Sequence, residues 1–137
     1  MMLKLSPAKV NLHLRVLRKR PDGYHDIATL MQRISLYDEM IFSPVEQGII
    51  LKCPASGLPE DEGNIVFRAA DLILSQAGVR QGIEINLTKH IPLAAGLGGG
   101  SSNAATTLMT INDMFNLGFS QAQLMDMGAT LGADVPF

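Results

Sequence analysis

The residues with the clearest chemical potential lie between Pro92 and Asn103. Gly96, Gly98, Gly99 and Gly100 put four glycines within five residues, and Ser101, Ser102 and an alanine-rich run follow. An alternating apolar segment, Ile83, Ile85 and Leu87, precedes them. That order reads as strand, glycine-rich loop and helix N-terminus. Glycine lets the backbone approach a ligand closely. A helix start supplies unpaired N–H groups and the positive end of a dipole. Together they make an anion site, most often one for phosphate. Pro92 is expected to end the strand and set the approach to the loop.

Two common phosphate loops do not fit. A Walker A loop needs Gly-x4-Gly-Lys-Ser/Thr, but the fifth residue after Gly96 is Ser101 and no lysine follows. A dinucleotide fingerprint needs Gly-x-Gly-x-x-Gly, yet its last position falls on Ser101 or Asn103. Its distal acidic residue at the end of a second strand is also missing, because Asp113 falls inside the expected helix. A plain strand-to-helix turn remains the bland alternative.

Periodicity supplies the elements that must hold this loop. Val10, Leu12, Leu14 and Val16 alternate with Asn11, His13 and Arg15, the pattern of a half-buried strand. Pro21-Asp22-Gly23 has the chemistry of a hairpin turn, and a second strand is expected over 26–35. Residues 40–42 and 49–53 read as two more short strands, and 54–63 as a polar loop. Asn64 is a good N-cap for a helix whose Val66, Ala69, Ala70, Ile73, Leu74 and Ala77 share one face. Gly78 would stop it. A strand over 83–87, a helix over 101–115 and a third helix from the Ser120–Gln123 capping box to about Leu131 complete the chain. The third helix would turn Leu124, Met127 and Leu131 to the core. Mixed strands and helices predict a two-layer α/β sandwich of the α+β class.

Composition narrows the partners. The 137 residues fit one domain and are 47% hydrophobic, enough for a core. A formal net charge of -2 argues against a nucleic-acid surface. Cys53 is the single cysteine, which excludes an internal disulfide and fits a reducing compartment. Lys4, Pro7 and Lys9 interrupt the N-terminal apolar residues early, and no stretch approaches the ~20 residues of a membrane helix. A cytoplasmic protein is expected. One cysteine and dispersed histidines offer no metal-ligand cluster.

The loop resembles the Pro-x3-Gly-Leu-Gly-Gly-Gly-Ser-Ser motif of the GHMP kinases, and three further segments strengthen the likeness. Ser6-Pro7-Ala8-Lys9-Val10-Asn11-Leu12 resembles their N-terminal motif, and Arg20-Pro21-Asp22-Gly23-Tyr24-His25 resembles a substrate hairpin. Leu131-Gly132-Ala133-Asp134-Val135-Pro136-Phe137 resembles the segment of the catalytic aspartate. The resemblance implies the ribosomal-protein-S5-like fold of the family's N-terminal, ATP-binding domain across 1–137. On that resemblance the family's C-terminal domain is expected to be absent from this chain.

The resemblance also implies roles. Pro92, Gly96, Leu97, Gly98, Gly99, Gly100, Ser101 and Ser102 would hold the phosphates of ATP. Ser101 or Ser102 would contact Mg2+ arriving with ATP. Asp134 would be the general base or orienter of a substrate hydroxyl, and Lys9 would pair with it. Without the family, Asp134 reads as a helix-capping aspartate. Lys9 likewise reads as a solvated strand lysine, on the face of Asn11 and opposite Val10, Leu12 and Leu14. Tyr24 would stack on a cytosine ring, His25 would hydrogen-bond it, and Asn11 would neighbour the substrate. An aromatic face and a donor–acceptor pair suit a nucleobase. The implied activity is transfer of phosphate from ATP to a hydroxyl of a cytidine diphosphate-linked polyol, a small molecule. The alternatives are another GHMP small-molecule kinase, such as a homoserine kinase, and a non-catalytic RNA-binding module of the same fold. His13 and His90 read as structural or solvated.

Overall fold

The computed structural model describes residues 1–19, 25–93, 98–132 and 135–136, with the backbone alone for 9–19 and 25–35. Four strands and three helices follow in the order β1 (Met2–Lys19), β2 (His25–Val45), β3 (Ile49–Lys52), α1 (Ile65–Ala77), β4 (Gly82–Thr88), α2 (Gly99–Met114) and α3 (Gln121–Leu131). The sheet order is β1-β2-β4-β3. β1 pairs antiparallel with β2, and β2 with β4. β3 and β4 are parallel, with Ile49 opposite Ile83. Parallel neighbours need a long crossover, and α1 supplies it.

The helices lie against one face of the sheet. α1 packs on β3, α2 on β1 and β2, and α3 on α1 and α2. Ile83, Ile85 and Leu87 of β4 alternate inward, as do Met40 and Phe42 of β2. They meet Val66, Ala69, Ala70, Ile73 and Leu74 of α1, Ala104, Leu108 and Ile111 of α2, and Met127 of α3 in one core. Each large apolar side chain buried this way contributes about 1.5–3 kcal/mol. Leu124 and Leu131 are partly buried against that core. The mixed sheet with helices is the α+β architecture expected from the pattern.

Local chemistry sets the helix ends. The Asn64 side chain accepts from the Val66 amide at 2.9 Å, and Gly78 stops α1 in the left-handed region at φ 66°. Ser120 and Gln123 cap α3 reciprocally, at 3.1 Å and 2.8 Å.

Several boundaries differ from the sequence reading. The strands expected over 26–35 and 40–42 are one strand, β2, which runs unbroken through Asp38 and Glu39. Asp38 is fully buried yet satisfied by hydrogen bonds, so it does not break the strand. β1 begins at Met2 and carries Pro7. It is an edge strand with a register shift between Pro7 and Lys9, a place where a residue without an N–H is tolerated. β4 ends at Thr88, so Pro92 does not end it. Lys89, His90 and Ile91 intervene, held by side-chain contacts described below.

Candidate functional site

The glycine run delivers its chain into α2. Gly98 is the residue before the helix and adopts φ 68°, the left-handed region, which costs a residue with a Cβ roughly 1–2 kcal/mol. At Gly99 a Cβ would lie 3.0 Å from both Ile91 Cγ2 and Lys89 Nζ. Glycine there lets the start of α2 sit close against the segment that leaves β4. α2 itself starts at Gly99, two residues before the expected start.

Among the described residues no side chain caps α2, whereas Asn64 caps α1 and Ser120 caps α3. The amides of a first helical turn have no carbonyl of their own helix to bond. Those of Gly99, Gly100 and Ser101 border a pocket of about 530 Å³, walled also by Pro92, Leu93, Gly98, Lys89 and Asn103. Its other wall comes from the loop before α1 and from α1 itself: Leu58, Pro59, Gly63, Asn64, Ile65 and Arg68. The lining thus combines apolar side chains with the first residues of a helix and Lys89, a combination that suits a flat ring joined to an anionic chain. Arg68 adds a second cation, its guanidinium donating to the Glu62 carbonyl at 3.1 Å.

Ser101 and Ser102 part company. Ser101 borders the pocket. The Ser102 amide donates to the Gly98 carbonyl at 2.9 Å as the first bond of the helix. Its hydroxyl is 2.9 Å from the hydroxyl of Ser6. Ser102 thus ties the start of α2 to β1. The Ser6–Ser102 contact also brings the Ser6-Pro7-Ala8 segment of β1 beside the glycine loop.

Behind the pocket lies a polar cluster that the motifs do not reveal. Asp38 is fully buried and the Lys89 side chain is 8% exposed, with Nζ 2.5 Å from Asp38 Oδ2. Asp38 Oδ1 accepts from the amides of His90 at 2.6 Å and Ile91 at 2.9 Å. Asn103 Nδ2 donates to Asp38 Oδ2 at 3.0 Å and to Ser6 Oγ at 2.9 Å, while its Oδ1 accepts from Lys89 Nζ at 3.1 Å. Burial alone would raise the Asp38 pKa. The Ile91 amide, the Lys89 ammonium, the His90 amide and the Asn103 side chain outweigh it and hold the carboxyl below the usual carboxylate range. A signal was present in the sequence. Asp38 continues the inward phase of Met40 and Phe42, and Lys89 that of Ile83, Ile85 and Leu87, so both polar residues fall on core positions.

Of the other residues singled out from sequence, Gly96, Leu97, Tyr24 and Asp134 lie outside the described residues. Lys9 and Asn11 are placed by backbone only, on β1 opposite Arg33 and Met31. His25 opens β2 opposite Lys19. Their side chains are likewise outside the description. His90 is exposed, with Nε2 3.8 Å from Glu39. Among the described residues, no group of three or more His, Cys, Asp or Glu side chains could hold a metal ion, and no helix is long and apolar enough to cross a membrane.

An uncapped helix start behind a glycine run, bordering a pocket with apolar and cationic lining residues on an α+β sheet, is an arrangement suited to an anionic ligand. The chain belongs to the GHMP kinases: the family profile described as GHMP kinases N terminal domain matches residues 64–137, more than half of the chain. It is 68% identical over 137 residues to the 4-diphosphocytidyl-2-C-methyl-D-erythritol kinase of Syntrophus aciditrophicus, covering 99% of this chain and 49% of that protein. The protein of the same name from Syntrophotalea carbinolica is 54% identical, with 97% and 48% covered. A crystal structure of 4-(cytidine 5'-diphospho)-2C-methyl-D-erythritol kinase superposes with a TM-score of 0.84 at 43% identity, over 99% of this chain and 48% of that one. The chain spans about half the length of the curated relatives it matches.

Proposed function

We propose that this chain is the ATP-binding part of a kinase that phosphorylates the 2-hydroxyl of 4-diphosphocytidyl-2-C-methyl-D-erythritol, a cytoplasmic reaction of non-mevalonate isoprenoid synthesis. The observation that carries the reading is the uncapped start of α2 bordering the 530 Å³ pocket. It is supported by 68% and 54% identity, over nearly the whole of this chain, to relatives of that name of which it covers about half.

Phosphoryl transfer asks mainly for positioned phosphates, neutralised charge and an oriented hydroxyl. The amides of Gly99, Gly100 and Ser101 would take the phosphate oxygens, and the apolar wall of Leu58, Pro59 and Ile65 would take the base. Arg68 supplies positive charge on the α1 side of the pocket, while Lys89 lines it already paired with Asp38. The Ser101 hydroxyl is the group that fits a magnesium ion brought in with ATP, because Ser102 is bonded to Ser6. That ion would neutralise charge on the phosphates. Asp134 would accept the proton of the attacking hydroxyl, with Lys9 keeping it ionised. Tyr24 would stack on the cytosine, with His25 and Asn11 as its polar neighbours.

The test is an ATP-dependent phosphorylation assay on the full-length protein with the cytidyl substrate, beside calorimetric titration with CDP. Asp134→Asn should abolish turnover and leave ATP binding intact. Turnover that persists in that variant refutes the base assignment. Absence of heat with CDP refutes the substrate assignment.

A further inference from the structure

The pairing of β2 with β4 ends at Glu39 opposite Thr88. Beyond it the chain leaves the sheet toward the glycine run, and the next ladder contacts are lost. The Asp38 side chain takes their place. Its Oδ1 accepts from both amides that follow Lys89, those of His90 and Ile91, and so continues the hydrogen bonding past the end of the strand. Its Oδ2 accepts from Lys89 and from Asn103, five residues beyond Gly98 on α2. A carboxylate has about four acceptor positions, and Asp38 has a donor for each. Ser6, the cross-strand partner of Asp38 on β1, completes the arrangement through Asn103. One buried carboxylate therefore grips the chain on both sides of the phosphate loop.

Resting on the kinase reading above, we infer that Asp38 is a positioning residue for ATP: it clasps the residues before and after the glycine run, and holds Lys89 against the pocket wall. Asp38 itself touches no ligand. Its effect passes through the amides of His90 and Ile91, which fix where Pro92 and Leu93 stand, and through Asn103, which fixes the rotation of α2 and so the aim of its first amides. Lys89 contacts Asp38 and Asn103 together, and Gly99 packs so close to Lys89 and Ile91 that a Cβ there would press on both. A shift at the clasp therefore reaches the first residue of α2 directly.

The test uses the full-length protein and two readouts, calorimetric titration with MgATP and steady-state kinetics. Asp38→Asn keeps the size but faces the donors of Lys89 and Asn103 with an NH2 group. Asn103→Ala removes the tie between α2 and Asp38 while leaving the bonds of Asp38 to His90, Ile91 and Lys89. Both should weaken ATP binding, on the order of tenfold for Asp38→Asn and somewhat less for Asn103→Ala. KM for ATP should rise in step while KM for the hydroxyl acceptor stays put. A merely structural role would instead lower the active fraction, reducing kcat with both KM values unchanged, and that result overturns the inference. So does unchanged ATP affinity in a folded variant. If Asp38→Asn does not fold, Asn103→Ala decides alone. A parent protein that binds no MgATP overturns the kinase reading and the clasp together; a parent that binds it, with variants that bind it equally, overturns only the clasp.

Discussion

Gly128 lies in the interior of α3, and a Cβ placed there would stand 2.8 Å from Val135 Cγ1 and 3.4 Å from Val135 Cβ. Two opposing effects can be weighed for Gly128→Ala. Replacing glycine within a helix is worth about 1 kcal/mol of stability. Carbon atoms in contact rest about 3.5–4.0 Å apart, so Val135 must withdraw by roughly 1 Å. Val135 is 2% exposed and β-branched, with a stiff side chain, and cannot swing aside. Overpacking of this kind costs about 1–3 kcal/mol. The substitution should therefore destabilise the protein by about 1 kcal/mol net. In a Val135→Ala background the overlapping methyl is gone, and the same Gly128→Ala change should stabilise by about 1 kcal/mol. The sign should reverse, with a coupling of about 2 kcal/mol. Urea unfolding of the full-length parent, both single variants and the double variant measures it. Val135 is bonded to Asp134, so a displaced Val135 moves the chain bearing the proposed base. Turnover should fall in Gly128→Ala while ATP affinity holds. A rise in the urea midpoint in both backgrounds would refute the steric argument. A fall in both would place the strain elsewhere than Val135.

Ser101→Ala should slow turnover and raise the magnesium concentration needed, whereas Ser102→Ala should cost about 1 kcal/mol of stability, with a smaller effect on magnesium dependence. Kinetics over a magnesium series, beside thermal melts, separates the two. The Asp38 carboxyl sits lower in the folded protein than its unfolded value near 3.9. Its stabilising contribution is thus complete above about pH 4 and is lost as pH falls through the lower folded value. Acid unfolding should show a steep segment below about pH 4 that Asp38→Asn lacks; identical acid limbs would contradict this. Cys53 is 3% exposed and its thiol is pushed up in pKa, by burial first and then by Glu60, against the Ser56 hydrogen bond and Lys89. Alkylation at pH 8 should run about a hundredfold slower than in urea, and equal rates would show the thiol to be accessible.

Where local chemistry decides structure, the sequence was read to the residue. Asn64 and Gly78 bracket α1 because a side-chain acceptor and a left-handed glycine act within a few positions of the ends they set. Ser120 and Gln123 do the same for α3. The alternation of Ile83, Ile85 and Leu87 marked β4, and the glycines marked the approach to α2. Distant partners decided the rest. The continuity of β2 through Asp38 is not visible locally because the donors that satisfy Asp38 lie 51 to 65 residues away, on Lys89, His90, Ile91 and Asn103. Ser102 looked equivalent to Ser101 because nothing within the loop tells which hydroxyl meets Ser6, 96 residues earlier. The fold class and the pocket's glycine wall were legible; the polar support behind that wall was not. It is built from residues that are ordinary in their own neighbourhoods and informative only once the strands are in register.

The Ser6–Ser102 and Ser6–Asn103 links join positions 96 and 97 residues apart. Contacts of such long separation form after local ones, because closing the intervening chain costs entropy before any contact repays it. The β1–β2 hairpin and a capped α1 can arise early from neighbours in sequence. The start of α2 gains its footing on β1 only when distant parts of the chain have met. A chain in which β1 has not docked would therefore carry the glycine run without the Ser6 contacts that hold the start of α2.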